Sequence, residues 1–326
     1  MSPLSCSDGS LAVEEPLAGT APQAVAWVAL EQNGPWGPRA LTDSHLDPAV
    51  GRALEEVTAR HGVRPSLIRC PGRHADDPAI HHAHRHVLVA STRPGDTWLL
   101  EGVVEEPAAV LDIDWAALRA GDQDAVRRSL PSLSPAPRPH LLVCTNGKRD
   151  VCCAVKGRPV ALGAAALHPD RVWEVTHTSG HRFAPTAVLL PAGTLHGHLD
   201  VAAAGELLRA AEQGTTVLRG SRGRSTWPPP AQAAELAVRE EHGVLGLDDL
   251  DVVAHEQTGE RSWATEVRHL DGRSWRVRVE SRDSTVLRSE SCGKALKPLT
   301  WFTHVAEPVR AQDRSWSPGA APPGRA

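Results

Sequence analysis

Two histidines in the stretch WEVTHTSGHRFAPT, residues 173–186, have a type and a spacing that suit ligand chemistry. His177 and His181 are four residues apart, a spacing that would stack both imidazoles on one face of a helix. Gly180 and the neighbouring β-branched residues disfavour a helix, so the segment is predicted as the end of a strand that opens into a loop. A loop with two convergent imidazoles is either a ligand site or a coincidence, and the rest of the sequence must decide.

Six cysteines add thiol chemistry to these imidazoles. Three of them, Cys144, Cys152 and Cys153, crowd into ten residues, which favours metal or redox chemistry over a disulfide framework in a reducing compartment. For Cys6, in the N-terminal tail, and for Cys292 we expect the ordinary role of a small apolar side chain. The sequence therefore predicts a metal or redox centre.

The bulk properties restrict the class of protein. With 326 residues, 41% hydrophobic residues and a formal net charge of -4, the chain is predicted to be globular. The small charge disfavours nucleic-acid binding, and no apolar run approaches the roughly 18 residues that span a membrane. The N-terminus lacks the features of a secretion signal, so we expect a cytoplasmic protein. Abundant Ala, Arg, Pro and Gly, with no Tyr, suggest a GC-rich bacterial genome.

The elements that must position these residues follow a β-α-β-β-β-α order. HLLVCTNG is predicted as a strand that ends in a turn, and the next segment as a helix that Asp150 caps at its N-terminus. A second strand, RVWEVTH, precedes a hairpin that turns at residues 191–193 and an Ala/Leu-rich helix that ends at Gly214. This is the core order of a thioredoxin-like domain.

The N-terminal half repeats the same order. A strand, a helix, a second strand and a hairpin are predicted over residues 24–104, and a short helix follows near 107–120. The two asparagines of the chain, Asn33 and Asn146, each lie in an Asn-Gly after the first strand of a half. We therefore predict a duplication of one domain. Two unrelated α/β halves are the alternative, because β-α-β order is common.

The predicted fold class is α/β, with thioredoxin-like domains and a small C-terminal α+β module. An Asp271-Gly272 hairpin signal lies within that module, and SRGRSTWPPPAQ precedes it as a linker by composition. The predicted boundaries are a disordered tail at 1–19, an α/β domain of degenerate thioredoxin-like type at 20–135, a thioredoxin-like domain at 136–217, a linker at 218–230, the α+β module at 231–305 and a disordered tail at 306–326.

Within the domain at 136–217, a C-x8-C pair and an H-x3-H pair are expected to meet. Cys144 ends the first strand, Cys153 lies near the start of the helix, and both histidines follow the adjacent strand. Loops at one edge of a parallel strand pair converge, and a helix N-terminus favours thiolates. Structural zinc sites usually use cysteines about two to four residues apart, so the wider gap suits a larger object. A [2Fe–2S] cluster with two cysteines on one iron and two histidines on the other, the division found in Rieske centres, is chemically sensible.

Two segments, HLLVCTNGKRDVCCAVKGRPV and VWEVTHTSGHRFAPTAVLLPAG, closely resemble the sucrase/ferredoxin-like family of thioredoxin-fold [2Fe–2S] proteins. The resemblance is most specific over about 140–200, and PLAGTAP…ALEQNGPWG at 16–37 extends it over most of the chain. By the family motif, the implied ligands of the cluster are Cys144, Cys153, His177 and His181. Because adjacent helical residues point about 100° apart, only one of Cys152 and Cys153 can face the cluster, and the family spacing favours Cys153.

The resemblance implies an electron-transfer or redox-sensing protein, a carrier rather than an enzyme. Its partner would be a redox protein, either a reductase or an acceptor, because the sequence has no dinucleotide fingerprint and no Walker loop of its own. One alternative is a structural zinc domain. Another is a thiol oxidoreductase that uses Cys152 and Cys153, although adjacent cysteines form strained disulfides.

A third alternative, suggested by the word sucrase, is a hydrolase that acts on sugars. Such an enzyme needs two carboxylates roughly 5–10 Å apart. The candidates, none of which lies in a distinctive motif, are Glu105, Glu106, Asp112 and Asp114.

Other polar side chains are given supporting roles. Arg149, Asp150 and Arg182 are expected to cap or orient rather than ligate, and Trp173 and Phe183 to pack in the core. A solvated face is predicted for His81, His82, His84 and His86, and a hairpin surface for His196 and His198. The first half should hold no second cluster, because its counterparts of the four ligands are Glu31, Ala40, Cys70 and His74.

Overall fold

The computed structural model describes residues 5–72 and 84–309. Within these residues the chain forms two sheets and seven α-helices. Numbered along the chain, the helices are α1 (Cys6–Ala12), α2 (Pro48–His61), α3 (Trp115–Ala120), α4 (Gln123–Ser129), α5 (Val151–Leu167), α6 (Val201–Glu212) and α7 (Pro229–His242). The strands are β1 (Ala26–Glu31), β2 (Val63–Arg69), β3 (Arg85–Ser91), β4 (Trp98–Val104), β5 (Ser134–Pro135), β6 (His140–Cys144), β7 (Val172–Val175), β8 (Ala187–Leu190), β9 (Thr194–His196), β10 (Ser221–Arg224), β11 (Leu250–Gly259), β12 (Ser262–His269), β13 (Ser274–Asp283) and β14 (Thr300–Pro308).

A ten-stranded mixed sheet forms the larger part of the fold, in the order β10-β9-β8-β6-β7-β2-β1-β3-β4-β5. A separate four-stranded sheet has the order β11-β12-β13-β14. Helix α7 packs on this second sheet through Ala234 and Val238, which share a buried apolar cluster with Trp275 and Val277. The predicted α/β class is therefore confirmed, with a large mixed sheet and a separate small one.

The two halves of the large sheet repeat one strand order, β2-β1-β3-β4 in the first and β7-β6-β8-β9 in the second. Strand β1 runs parallel to β2 and antiparallel to β3, just as β6 runs parallel to β7 and antiparallel to β8. The halves join where β2 pairs with β7 in antiparallel register. A repeated order of this kind is what a duplication of one domain requires.

A buried ion pair marks the junction between the halves. Arg69 of β2 lies opposite Glu174 of β7 and donates two hydrogen bonds, of 2.8 and 2.6 Å, to its carboxylate. Thr145 adds a third hydrogen bond at 2.8 Å. A buried carboxylate is stable only with such partners, so separating the halves would leave a charge unpaired.

Helix α5 begins next to the end of β6. Asp150 is its N-cap and accepts a hydrogen bond from the Cys152 amide at 2.9 Å, as predicted. Gly157 faces Cys144, and a Cβ at this glycine would lie 2.2 Å from the Cys144 carbonyl oxygen. The absence of a side chain at Gly157 therefore lets the helix lie against the strand that carries Cys144.

The N-terminal segment differs from the disorder predicted for residues 1–19. Residues Cys6–Ala12 form helix α1. The helix is anchored by Ser7, whose hydroxyl donates a 2.6 Å hydrogen bond to the Ala184 carbonyl, and Cys6 is only 7% exposed. These contacts are made with residues far away in the sequence, which is why local composition did not predict them.

The segment at 218–230, predicted as a linker, contains the edge strand β10 instead. Arg222 and Arg224 in this strand are buried, with 0% and 1% exposure. Their guanidinium groups donate to backbone carbonyls and to Asp248, and these hydrogen bonds make the burial of two charges tolerable. Residues 218–230 are therefore a structural part of the sheet.

The C-terminal module extends further than predicted. Strand β14 continues to Pro308, so the predicted disorder from 306 is incorrect for its first residues, whereas residues 310–326 lie outside the described part of the chain. None of the helices in the described ranges combines the length and the apolar character needed to cross a bilayer.

Candidate metal centre

The ends of two parallel strands form the floor of the candidate site. Strands β6 and β7 are adjacent, with Cys144 opposite Val175, so the loops that follow them leave the same edge of the sheet. The loop after β6 leads into α5. The loop after β7 contains His177 and leads into a short 3-10 helix, His181–Phe183.

The four predicted ligands are in contact with one another. The Cys153 Sγ lies 3.3 Å from the His181 Nδ1, and interactions with Cys153 and His177 are among the causes that shift the pKa of Cys144. The two imidazole rings stack, with 4.8 Å between their centroids and 24° between their planes. The fold therefore brings both pairs together; ligation by them stays a prediction.

Burial and a shared hydrogen bond set the protonation of the two thiols, each of which is 1% exposed. The hydrogen bond from Cys153, with a further one from His177, holds the pKa of Cys144 well below its usual range despite burial. Because Cys153 is the donor to Cys144, the same interaction, together with burial, raises the pKa of Cys153. The interaction between the two thiols therefore shifts their pKa values in opposite directions, downward for Cys144 and upward for Cys153.

The imidazoles complete a donor set that fits a metal centre. Burial and the neighbouring His177 lower the pKa of His181, which favours the neutral ring that binds metals. The His177 Nδ1 is buried, and it has no hydrogen-bond partner among the described residues. An unpaired buried polar atom is costly, and a metal ion bound at this nitrogen would remove that cost. Together, two sulfur and two nitrogen donors at this place fit a thiophilic metal or an iron–sulfur cluster.

A buried arginine from strand β10 holds the histidine loop. Arg222 donates hydrogen bonds to the carbonyls of Ser179 at 3.1 Å and Thr178 at 3.4 Å, and it also donates to the Thr20 carbonyl. Gly180 has a φ of 68°, and a Cβ there would lie 2.4 Å from the Arg222 guanidinium. The loop therefore requires glycine both for its left-handed backbone and for this close approach.

The first half of the sheet holds the same loop from the other side. Arg64 of β2 donates a 3.2 Å hydrogen bond to the His177 carbonyl, and its guanidinium lies 5.4 Å from the ring centroid of Trp27. Burial lowers the pKa of Arg64 to about 10, so the side chain stays charged at neutral pH. The histidine loop is thus fixed by both halves.

The side chains with predicted supporting roles are placed as follows. Trp173 and Phe183 are 6% and 0% exposed, which confirms their prediction as core residues. Arg182 forms a 2.7 Å ion pair with Glu15. Arg149 donates a 3.5 Å hydrogen bond to the Pro38 carbonyl.

Cys152 belongs to a second group of thiols. Its Sγ lies 3.1 Å from the Cys292 Sγ and 3.5 Å from the Cys6 Sγ. With Asp150, these residues place four donor atoms within 4.8 Å of one another, an arrangement that could hold a metal ion. The predicted role of Cys6 and Cys292 as ordinary apolar side chains misses this grouping, for which the Cys152-Cys153 doublet is the one local signal.

The remaining histidines fall in different surroundings. His196 is buried rather than on a hairpin surface, with its Nε2 3.3 Å from the Thr194 hydroxyl, and burial lowers its pKa to about 4. A cleft lined by residues of both halves includes Glu31, Cys70, His84 and His86 from the first half. The residues that lie outside the described ranges are His74, His81 and His82.

The carboxylates considered for sugar hydrolysis have other surroundings. Glu105, Glu106 and Asp112 are exposed. Asp114 is the N-cap of α3 and accepts a 2.9 Å hydrogen bond from the Ala117 amide. Nothing in this arrangement favours the hydrolase alternative.

Comparison with known proteins gives one match. A family model described as sucrase/ferredoxin-like matches residues 17–223, which is more than half of the 326 residues. The matched region contains both pairs of predicted ligands and Arg222, whereas Cys6 and Cys292 lie outside it. No curated protein and no solved structure matches the chain.

Proposed function

Since the chain belongs to the sucrase/ferredoxin-like family, we propose that it is an electron-transfer or redox-sensing protein with one [2Fe–2S] cluster. The ligands in this proposal are Cys144, Cys153, His177 and His181. The observation that carries it is their convergence, with a 3.3 Å contact between Cys153 and His181 and stacked imidazoles. The division into two sulfur and two nitrogen donors suits a cluster whose two irons have different ligands.

The proposal includes a thioredoxin-like fold for residues 136–217. Supporting it are the order β6, α5, β7, β8, β9, α6 along the chain and the order β7-β6-β8-β9 in the sheet. The corresponding strands of the first half have the same order, which supports a degenerate copy at 20–135.

When bound, a [2Fe–2S] cluster supplies reversible one-electron transfer. The chain's own residues would exclude water on the cysteine side, where Cys144 and Cys153 are buried. The half-buried imidazoles instead border a cleft of about 540 Å³ whose lining includes Arg149 and Lys294. We place the docking site of a partner redox protein, reductase or acceptor, at this cleft.

A carrier role also suits the rest of the molecule. None of the six cysteines, all of which lie in the described ranges, forms a disulfide, as expected for a protein of the cytoplasm, where thiols are kept reduced. A structural zinc domain is the second candidate, because two cysteines and two histidines are also a common zinc donor set.

Anaerobic purification followed by iron and acid-labile sulfide analysis tests the proposal. We expect a coloured protein with about two irons and two sulfides per chain. Mössbauer spectra of the oxidised protein should then resolve two iron sites in equal amounts, one with sulfur ligands and one with nitrogen ligands. A colourless protein with zinc bound to these four residues would overturn the proposal in favour of the second candidate.

A further inference from the structure

Three cysteine thiols from distant parts of the chain meet beside the candidate cluster site. Cys6 lies in α1, Cys152 in the first turn of α5 and Cys292 in the loop between β13 and β14. Their sulfur atoms form a triangle with sides of 3.1, 3.4 and 3.5 Å. Because a thiol is both a weak donor and a weak acceptor, three thiols gain little from hydrogen bonds with each other. A shared cation would stabilise this arrangement far better.

A carboxylate borders the triangle. The two oxygens of Asp150 lie 3.9 and 3.8 Å from the Cys6 Sγ. Besides these long contacts with the Cys6 thiol, Oδ1 accepts one hydrogen bond, from the Cys152 amide at 2.9 Å, and Oδ2 accepts two, from the Cys292 amide at 2.8 Å and the Ser291 hydroxyl at 2.6 Å. A carboxylate oxygen has two lone pairs. When Cys6 binds a metal as a thiolate it no longer donates to Oδ1, which then keeps one lone pair for the metal ion, and the amide and hydroxyl hydrogen bonds hold the carboxylate in place.

We propose that Cys6, Cys152, Cys292 and Asp150 form a zinc site that is separate from the proposed [2Fe–2S] site. The four donor atoms lie within 4.8 Å of one another, which is the span of one coordination sphere and too compact for an iron–sulfur cluster. Tetrahedral Zn–S bonds of about 2.3 Å place sulfur atoms about 3.8 Å apart, so each sulfur needs to move outward by only a few tenths of an ångström.

The donor chemistry selects among metal ions. Magnesium and calcium take oxygen ligands, whereas thiolates bind zinc and other thiophilic ions. A fourth ligand of the carboxylate type favours zinc, which accepts Asp or Glu beside cysteines in a tetrahedral site, over copper(I), which prefers sulfur alone.

The position of the site indicates a structural role. Cys6 and Cys292 flank the region that the family model matches, 17–223, so zinc would join the segments on either side of that region to the helix that carries Cys153. A second connection joins the same segments. Glu15, which follows α1, forms ion pairs with Arg182 at 2.7 Å and with Arg288, in the loop between β13 and β14, at 3.1 Å.

The loop that Cys292 anchors also forms one wall of the histidine cleft. Glu290, Ser291 and Lys294 line this cleft together with His177 and His181. Zinc at the thiol triangle would therefore fix one wall of this cleft, a role in partner docking that rests on the proposed function.

Metal analysis of the full-length protein, purified anaerobically without chelators, tests the proposal. We expect about one zinc per chain beside the iron. Cys292→Ser, at a half-buried loop position, should weaken zinc binding by more than the roughly 10- to 100-fold that loss of a ligand's hydrogen-bond partner costs. Zinc should persist in the double variant Cys144→Ser/His181→Ala, which lacks two of the proposed cluster ligands. Cys70→Ser, a thiol outside both groups, is the matched control and should keep both metals.

Cobalt(II) substitution in the unmutated protein gives a readout that does not depend on the folding of a variant. Absorption from thiolate-to-cobalt charge transfer increases with the number of thiolates on the metal, and three are expected. An intensity that corresponds to two thiolates, or no such band, would count against the triangle.

Two further results would overturn the zinc site. One is a wild-type protein without zinc in which mass spectrometry finds a Cys152–Cys292 disulfide. The other is zinc that survives Cys292→Ser and disappears in Cys144→Ser/His181→Ala, since that ion would occupy the four-residue site. A protein with zinc at the triangle and no iron would support this inference and overturn only the proposed cluster.

Discussion

The two halves of the ten-stranded sheet have the same strand order and different side chains where their central strands end. In the second half, β6 ends at Cys144, and His177 follows β7. In the first half, β1 ends at Glu31, and Cys70 follows β2. The Glu31 carboxylate accepts a 3.1 Å hydrogen bond from the His86 amide, so it supports the sheet. The shared order brings loops together in both halves, and the side chains decide whether a metal can bind there.

The halves also differ in what each contributes to the other. Strand β2 of the first half supplies Arg64, which binds the His177 carbonyl, and Arg69, which pairs with Glu174. The first half therefore serves as the support of a site whose candidate ligands all belong to the second. Two halves with one strand order can divide their work in this way, because one half can lack the chemistry and still keep the packing.

The largest expected effect is the loss of iron when a thiol of the second half is removed. Cys144→Ser or Cys153→Ser should reduce bound iron from about two atoms per chain to nearly none, because a serine hydroxyl is a poor replacement for a thiolate. Cys70→Ser, at the corresponding edge of the first half, should leave the iron content unchanged. Iron and sulfide analysis with visible spectra of anaerobically purified protein would measure both.

Cys152→Ser sharpens this test, since Cys152 contacts Cys6 and Cys292 rather than the histidines. We expect this variant to keep its iron. If Cys153→Ser keeps the iron and Cys152→Ser loses it, our assignment is wrong by one residue, and Cys152 rather than Cys153 is the cluster ligand.

The second expected effect concerns the two buried arginines of β10. Arg222→Met removes the hydrogen bonds to the Thr178 and Ser179 carbonyls and should lower the free energy of unfolding by about 3 kcal/mol. It should also speed the loss of iron to a chelator, because those carbonyls belong to the histidine loop. Denaturant unfolding and the rate of iron release provide the two measurements.

Arg224→Met is the matched control for this pair. Arg224 is equally buried, but it binds Asp248 and the Leu247 carbonyl, away from the histidines. A similar loss of stability with an unchanged rate of iron release is expected. Equal rates in the two variants would mean that Arg222 acts on the stability of the sheet alone.

The third expected effect concerns the reduction potential. Two neutral imidazoles in place of two thiolates make the centre less negative, so adding an electron costs less, and the potential should lie above the roughly -400 mV of plant-type ferredoxins. His181→Cys should lower it by on the order of 100 mV, a fraction of the gap between the two ligand types. Protein-film voltammetry measures this shift, and a wild-type potential near that of plant-type ferredoxins would contradict histidine ligation.

Much of the second half could be predicted from the sequence because its signals are local. The cap at Asp150 fixed the start of α5, and the turn near Gly193 fixed the hairpin between β8 and β9. Parallel strands then required Cys144 and His177 to leave the same edge of the sheet. The cap and the turn were each predicted from residues within a few positions of one another, and the convergence of Cys144 and His177 followed from the strand order.

The elements that sequence analysis missed depend on contacts between residues far apart along the chain. Arg222 is buried because Thr20 and the histidine loop accept its hydrogen bonds. Cys6 is ordered because it meets Cys152 and Cys292, which are more than a hundred positions away. A polar segment with Gly, Ser and Arg has the composition of a linker whether or not such partners exist.

The smallest expected effect is a dependence of stability on pH that also distinguishes the halves. His140 of β6 and His196 of β9 belong to the second half, and the corresponding strands β1 and β4 contain no histidine. Burial is the main cause that lowers the pKa of each to about 4. Acid should therefore act first on the second half.

The sign of this pH dependence follows from whether His196 binds its proton more tightly in the folded or in the unfolded chain. In the unfolded chain a histidine has a pKa of about 6.5, whereas folded His196 resists protonation until about pH 4. Its contribution to stability is complete above the unfolded value and is lost as the pH falls from about 6.5 towards 4, by about 1.4 kcal/mol at pH 5.5. Denaturant unfolding of the wild type and of His196→Leu at pH 7.5 and 5.5 measures this contribution. Between pH 7.5 and 5.5 the free energy of unfolding of the variant should fall by about 1.4 kcal/mol less than that of the wild type. Equal losses would mean that the proton binds His196 equally well in the folded and unfolded chain.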